Sequence, residues 1–194
     1  VGRRLLELCG TGAFWLTAGA SLGRILLGLL AKRDLTGYDM KKLFGQEVRD
    51  FWYARHSQVY PELRKLEESG LITSYTSTVG TKLQKKYYRL AATGLQKLRD
   101  WLDQPLGDMM PTRDEFTMKL YLIRSQKDPQ LRQLLQEDIR RHKERLAHLQ
   151  LRWRLLFPTQ EAREKEYGHA LILQEAIQRE TQKLAWEKKQ LAEI

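Results

Sequence analysis

Residues 56–61 read His-Ser-Gln-Val-Tyr-Pro, and their side chains carry the hydrogen-bonding groups that base edges and phosphates accept. An amide such as Gln58 can bond adenine through its donor and its acceptor together, and a hydroxyl such as that of Ser57 serves base or phosphate. The Tyr60 hydroxyl suits a phosphate or a base edge, unless the ring packs on the first helix with its hydroxyl in water. His56 reads equally as a hydrogen bonder at a helix start. Arg64 and Lys65 lie one turn later, where a backbone phosphate is the nearer target. Lys82, Lys85 and Lys86 follow in a strand-like stretch. They would straddle the flanking phosphates or dip toward the minor groove, or else they protect a solvated strand edge by charge.

The elements around these residues must hold them at one surface. Ser57 is a candidate N-cap, and Pro61 falls within the first turn, where proline is tolerated. Val59, Leu63 and Leu66 form an inward stripe, which leaves Gln58, Tyr60, Arg64 and Lys65 outside. Gly70 stops this helix. Residues 71–78 are rich in Thr, Ser, Tyr and Ile, as strands are, residues 79–81 supply the turn, and 83–90 return as the partner strand. Upstream, residues 25–31 suit a short buried helix, and residues 34–38 supply turn residues and a cap. A second helix is expected over 37–44, and Val48, Phe51 and Trp52 should pack under the next one. Downstream, residues 93–102 form a helix with Leu95, Leu98, Trp101 and Leu102 inward. A polar reading helix, a glycine stop and a lysine-bearing hairpin are the layout of a winged helix-turn-helix.

Pro105, Gly107 and Pro111 punctuate a linker over 104–112, beyond which the pattern is helical throughout. Helices are expected over 114–123, 130–156 and 161–192. Ala170, Ile177, Leu184 and Leu191 stand seven apart, the spacing of coiled-coil pairing. These helices need a partner surface, supplied by a symmetric homodimer, by an antiparallel hairpin within the chain, or by both. The expected class is mainly α with a small β-hairpin. A winged helix-turn-helix DNA-binding domain occupies 22–103, a C-terminal helical, coiled-coil-like dimerisation domain occupies 113–194, and residues 1–21 form an N-terminal extension.

The 194-residue chain carries a net charge of +10, which fits an anionic partner such as double-stranded DNA. The single cysteine, Cys9, excludes a disulfide framework and suits a reducing, cytoplasmic setting. No apolar run is long enough to cross a membrane. Arg3-Arg4, the apolar stretch after them and Ala18-Gly19-Ala20 resemble a signal peptide, but Gly10 and Gly12 interrupt the stretch, so it reads as an extension packed on the body. Catalysis finds no footing: there is no P-loop, no G-x-S-x-G, no H-E-x-x-H and no cysteine pair. His56, His142, His148 and His169 are scattered, so neither a metal site nor a cofactor is expected.

The segments Leu-Leu-Gly-Leu-Leu (26–30), Thr-Gly-Tyr-Asp (36–39), His-Ser-Gln-Val-Tyr-Pro-Glu-Leu (56–63), Glu-Ser-Gly-Leu-Ile (68–72) and Gly-Thr-Lys-Leu-Gln-Lys-Lys-Tyr-Tyr (80–88) resemble the PadR family of bacterial transcriptional regulators. With Thr93-Gly94 and Trp101-Leu102 the resemblance covers about residues 25–103, and the tail opening Arg113-Asp114-Glu115-Phe116 resembles the longer, dimerising subfamily. The wording of 50–88 is similar to the phenolic acid-responsive members of the family. The first 21 residues are longer than is usual for it. The resemblance implies a repressor of a phenolic acid decarboxylase gene, bound to an inverted-repeat operator and released by a hydroxycinnamic acid such as p-coumaric or ferulic acid. It matches Ser57, Gln58 and Tyr60 to the groove-reading segment and Lys82, Lys85 and Lys86 to the wing.

A planar phenolic acid needs apolar or aromatic walls and one polar group. Tyr38, Trp52, Tyr167 and His169 are the candidates near a junction of wing domain and tail, with Trp52 and His169 serving equally as packing residues. Two other readings remain: a regulator of the same family that answers to drugs and controls an efflux gene, and a protein-interaction scaffold that binds no DNA.

Overall fold

The computed structural model describes residues 13–48, 56–79, 83–107 and 114–194, which divide between Gly107 and Asp108 into two compact units. Trp52, Phe51, Lys82 and the first twelve residues lie outside the described residues.

The first unit runs α1 (Ala13–Lys32), β1 (Leu35–Thr36), α2 (Gly37–Leu43), α3 (Val59–Glu68), β2 (Ile72–Val79), β3 (Leu83–Leu90) and α4 (Ala92–Leu102). The first helix is longer than the apolar run at 25–31 implied. Residues 13–21, expected to belong to a separate extension, continue the same helix without a break. A π-helical turn, Phe44–Val48, follows α2. Leu26, Leu27, Met40, Val59, Leu63 and Ile72 fill the buried centre.

Local chemistry sets the boundaries. Asp39 N–H donates to the Thr36 hydroxyl at 3.1 Å, and the Asp39 carboxylate accepts from Thr36 N–H at 3.1 Å, a reciprocal cap that starts α2. The same Leu35–Thr36 pair lies against Tyr88 and Tyr87 of β3, giving a three-stranded antiparallel sheet in the order β1-β3-β2. That third strand was not anticipated, because two residues are too few to show an alternating pattern. The hairpin registers Ile72 with Leu90, Tyr75 with Tyr87 and Val79 with Leu83.

The N-cap expected of Ser57 is not made. A 3-10 turn, His56–Gln58, precedes α3, and Gln58 occupies the cap without a side-chain bond. Pro61 still falls in the first turn, where its missing N–H has no intrahelical partner to lose. At the other end Leu71 N–H donates to the Leu66 carbonyl at 2.9 Å and Gly70 N–H to that of Glu67 at 3.0 Å, with Gly70 at φ 67°. This left-handed stop requires glycine and turns the chain directly into β2. On α4, Leu98 is buried as expected, but Trp101 is partly exposed beneath the Arg24 guanidinium and Leu102 faces solvent.

The second unit is helical: α5 (Glu115–Leu122), α6 (Pro129–Leu156), α7 (Gln160–Lys165) and α8 (Tyr167–Ala192). Asp114, Asp128 and Thr159 cap α5, α6 and α7, each accepting from the backbone N–H of the second or third helical residue. The helix expected over 161–192 is two helices, broken at Glu166. α6 and α8 form a long antiparallel hairpin, with Leu149, Phe157, Ala170, Leu173 and Ala176 as a core at one end. Ala170 and Leu184 are therefore buried inside a single chain, and Ile177 packs beside that core. Leu191, the last of the four, is half-buried, and Leu151, Leu155, Leu171 and Trp186 are among the apolar residues of this unit that stay exposed.

Further along the hairpin the interface becomes polar. Asp138 and Glu187 are buried, and burial together with the adjoining Asp138 carboxyl pushes Glu187 up to about 7. No helix among the described residues is long and apolar enough to cross a membrane.

Candidate nucleic-acid interface

The position of α3 follows from its two faces. Val59 and Leu63 are wholly buried and Leu66 nearly so, anchoring the helix in the first core. Ser57, Gln58, Tyr60, Arg64 and Lys65 all remain exposed on the other side. Tyr60 packs on α2, where the sequence suggested the first helix, and still reaches solvent. A Cβ at Gly37 would fall 2.5 Å from its ring, so the ring packs on the first residue of α2, yet the residue stays 48% exposed. Glycine at 37 is what allows this close approach.

The wing is fastened to α3 by charge. Glu67, in the last turn of α3, accepts from the Ser74 hydroxyl on β2 and from Lys86 Nζ on β3 at 3.0 Å. The Ser74 hydroxyl first, and Lys86 next, hold the Glu67 carboxyl below its usual range, and Glu67 raises Lys86 in turn. Lys86 also lies over the Tyr88 ring, 5.0 Å from its centre. Lys85 points the other way along the strand and is exposed. The two lysines, equivalent in the sequence, thus differ: Lys86 braces the wing and Lys85 projects from it.

The opposite face of the sheet carries a second brace that the sequence does not reveal. Asp34 accepts from Arg89 at 2.6 Å and from the Tyr75 hydroxyl at 2.9 Å. Arg89 stacks over Tyr75, which itself stacks on Tyr87. The Arg89 guanidinium holds the Asp34 carboxyl below its ordinary value. Sequence offered no signal for this trio, since 55 residues separate Asp34 from Arg89. α4 closes the arrangement from behind: Thr93 donates to the Gly70 carbonyl at 2.6 Å, and a Cβ at Gly94 would meet the Leu71 carbonyl oxygen at 2.0 Å.

The effector candidates are divided between the two units. Tyr38 is exposed on α2 in the first unit. In the second unit Tyr167 borders an open groove of about 710 Å³, together with Trp153, Arg154, Arg163, Leu171 and Ile177. The Arg163 guanidinium lies 5.4 Å from the centre of the Trp153 ring there. His169, two residues from Tyr167, instead meets Phe157 edge to face at 5.3 Å and packs with the hairpin core. Trp153 and Arg163 are the groove residues that the sequence reading did not single out; the step from Trp153 to Arg163 crosses the turn between α6 and α7 and has no periodic signature.

Residues 26–100 match the transcriptional regulator PadR-like family and residues 112–194 match the family described as virulence activator alpha C-term. The negative transcriptional regulator PadR of Bacillus subtilis (strain 168) is 38% identical over 174 residues, covering 87% of this chain and 94% of its own length. A crystal structure of B. subtilis PadR in complex with operator DNA has a TM-score of 0.78 at 37% identity, covering 90% of this chain and 98% of that one. The same protein in complex with p-coumaric acid has a TM-score of 0.77 at 35% identity, with coverages of 88% and 96%. The Vibrio cholerae virulence activator AphA has a TM-score of 0.67 at 29% identity, covering 89% of this chain and 96% of that one. The relatives are transcriptional regulators and not enzymes, as the absence of catalytic motifs implied. From the braced wing, the two-faced α3 and this similarity along nearly the whole length, the chain belongs to the PadR family of transcriptional regulators.

Proposed function

We propose that this protein is a cytoplasmic homodimeric repressor that binds an inverted-repeat operator and leaves it on binding a small aromatic acid such as p-coumaric or ferulic acid. Control of a phenolic acid decarboxylase gene is part of the same reading. The observation that carries it is the division of α3 into a buried apolar face and a solvent face of Ser57, Gln58, Tyr60, Arg64 and Lys65. A helix held in this way fits the width of the major groove. Gln58 and Ser57 would read base edges at its N-terminal end, Tyr60 would serve phosphate or base, and Arg64 and Lys65 would reach the backbone. Lys85, and Lys82 at the tip, would meet the flanking phosphates, with Lys86 setting the angle of the wing.

The complex of B. subtilis PadR with p-coumaric acid supports an aromatic acid as the effector. In this chain the groove beside Tyr167 offers Trp153 and Tyr167 as walls and Arg163 as a carboxylate partner. Tyr38, Trp52 and His169 remain candidates for contact with the same ligand. A homodimer is supported by the apolar residues that the second unit leaves exposed, since such surface is rare on monomers. Two copies of α3 in a dimer would enter half-sites about 34 Å apart, and an effector shifts that spacing only by its differential affinity for the two arrangements.

The test is a mobility-shift titration of the purified chain on duplexes from its own promoter region at about 100 mM salt. Retardation reversed by p-coumarate is the expected result. No retardation overturns the reading. Retardation that cationic dyes reverse and phenolic acids do not would replace it with the efflux-gene variant, and a salt-insensitive protein partner without DNA affinity would replace it with the scaffold.

A further inference from the structure

Inside the α6–α8 hairpin, three side chains from two helices point their ligand atoms at one spot. Asp138 and His142 stand one turn apart on α6, and Glu187 comes from α8; one ligand atom from each lies within 4.8 Å of the others. His142 Nε2 is 3.4 Å from Asp138 Oδ2 and 3.9 Å from Glu187 Oε1. Zinc bonds of the usual length place tetrahedral ligand atoms about 3.3 Å apart, so the first pair already fits and Glu187 must close by roughly half an ångström.

Two independent features distinguish this from an ordinary acidic cluster. The Glu187 side chain is completely buried, yet neither of its oxygens, nor Asp138 Oδ2, has a hydrogen-bond donor among the described residues. Buried carboxylate oxygens without donors are strongly disfavoured unless a cation meets them. Behind the imidazole, the other ring nitrogen, Nδ1, contacts Glu180, which is buried as well and held by Arg145 at 2.9 Å. A carboxylate behind a histidine fixes the tautomer that leaves Nε2 with its lone pair directed forward, which is how metal-bound histidines are oriented. Lys183 approaches from the rim, 3.4 Å from Glu187 and 3.9 Å from Asp138, but it is also drawn over the Phe116 ring at 4.1 Å and hydrogen-bonds neither carboxylate oxygen left without a donor.

We propose that Asp138, His142 and Glu187 form a binding site for a divalent transition metal, with Glu180 as the positioning residue behind His142. One imidazole and two carboxylates suit an ion of intermediate hardness such as Zn2+ or Mn2+ better than Ca2+. The ion would cross-link the two long helices of the second unit. Histidine positions alone do not reveal the site, since its other two ligands are acids and one of them comes from a different helix.

The experiment is equilibrium dialysis of the tag-free, chelator-treated full chain against Zn2+, with Co2+ absorption as a spectroscopic readout of an N/O ligand set. Wild type should take up one Zn2+ per chain, show Co2+ d–d bands and melt at a higher temperature with the ion than without it. Glu187→Gln should abolish uptake while its metal-free melting temperature equals or exceeds that of wild type, because the variant removes a buried charge. Glu180→Gln, which keeps all three ligands, should weaken Zn2+ by about 10–100-fold. Absence of uptake by wild type overturns the proposal. Unchanged uptake in Glu187→Gln, or unchanged affinity in Glu180→Gln, overturns it as well.

Discussion

Gln58 and Lys85 are both exposed polar residues of the first unit, and the proposed function assigns them different work. A glutamine at the start of α3 can discriminate between bases, whereas a lysine that projects from β3 can only neutralise phosphate. Gln58→Ala should lower the preference for operator over random duplex by about 1–3 kcal/mol. Lys85→Ala should weaken both duplexes alike and reduce the slope of log affinity against log salt by about 1. Competition titrations across a salt series separate the two, and equal effects from both variants would defeat the division. Lys86 is a third case. Because it bonds Glu67 and covers Tyr88, its loss should loosen the wing as well as remove a charge, an effect that Glu67→Gln should share in part.

At the scale of elements, the first unit depends on close backbone approaches and on caps. A methyl group at Gly94 would collide with the Leu71 carbonyl oxygen at the turn between α3 and β2, whereas Gly107 has nothing within 4 Å. Gly94→Ala should therefore destabilise the first unit by more than about 1 kcal/mol, and Gly107→Ala should stay within about 0.5 kcal/mol of wild type. Urea unfolding of variants in which Trp101 is the sole remaining tryptophan, followed by fluorescence, compares them. The carboxylates that cap and brace these elements set its acid sensitivity. The Thr36 hydroxyl holds Asp39 below its usual value, as Arg89 does Asp34 and the Ser74 hydroxyl does Glu67. A depressed folded-state pKa gives stability that is complete above the ordinary carboxylate range and lost as pH falls through the folded value. The difference in urea midpoint between wild type and Asp39→Asn should accordingly be widest above the ordinary carboxylate range and shrink as pH falls through the lowered value of Asp39 in the folded state.

For the whole molecule, the question is what covers the second unit. Its own hairpin already buries Ala170 and Leu184, while Leu155 is 70% and Leu171 47% exposed. If a second copy covers these outer residues, Leu155→Asp combined with Leu171→Asp should yield monomers in sedimentation experiments without loss of helical signal. The same variant should bind operator far more weakly, because the gain from engaging two half-sites together disappears. A double variant that sediments as wild type would place the interface elsewhere, among the exposed residues of α5 such as Tyr121 and Leu122.

What the chain determines by itself is whatever local energetics can specify. The stripe of Val59, Leu63 and Leu66, the glycine stop at 70 and the strand-forming composition of the wing each express interactions within a few residues, so pattern is sufficient to find them. The same holds for the two exposed groups of α3 and of the wing, since a buried stripe dictates the face opposite it. Only the tertiary structure decided which long-range partner each side chain takes. It paired Leu35–Thr36 with β3, gave Lys86 to Glu67 and Arg89 to Asp34, packed Ala170 and Ile177 of α8 with Leu149 of α6, and brought Glu187 to Asp138 and His142. Periodicity shows that a face will be buried; the identity of the surface that buries it is set by packing among distant segments, and in that choice charge and shape outweigh any local preference.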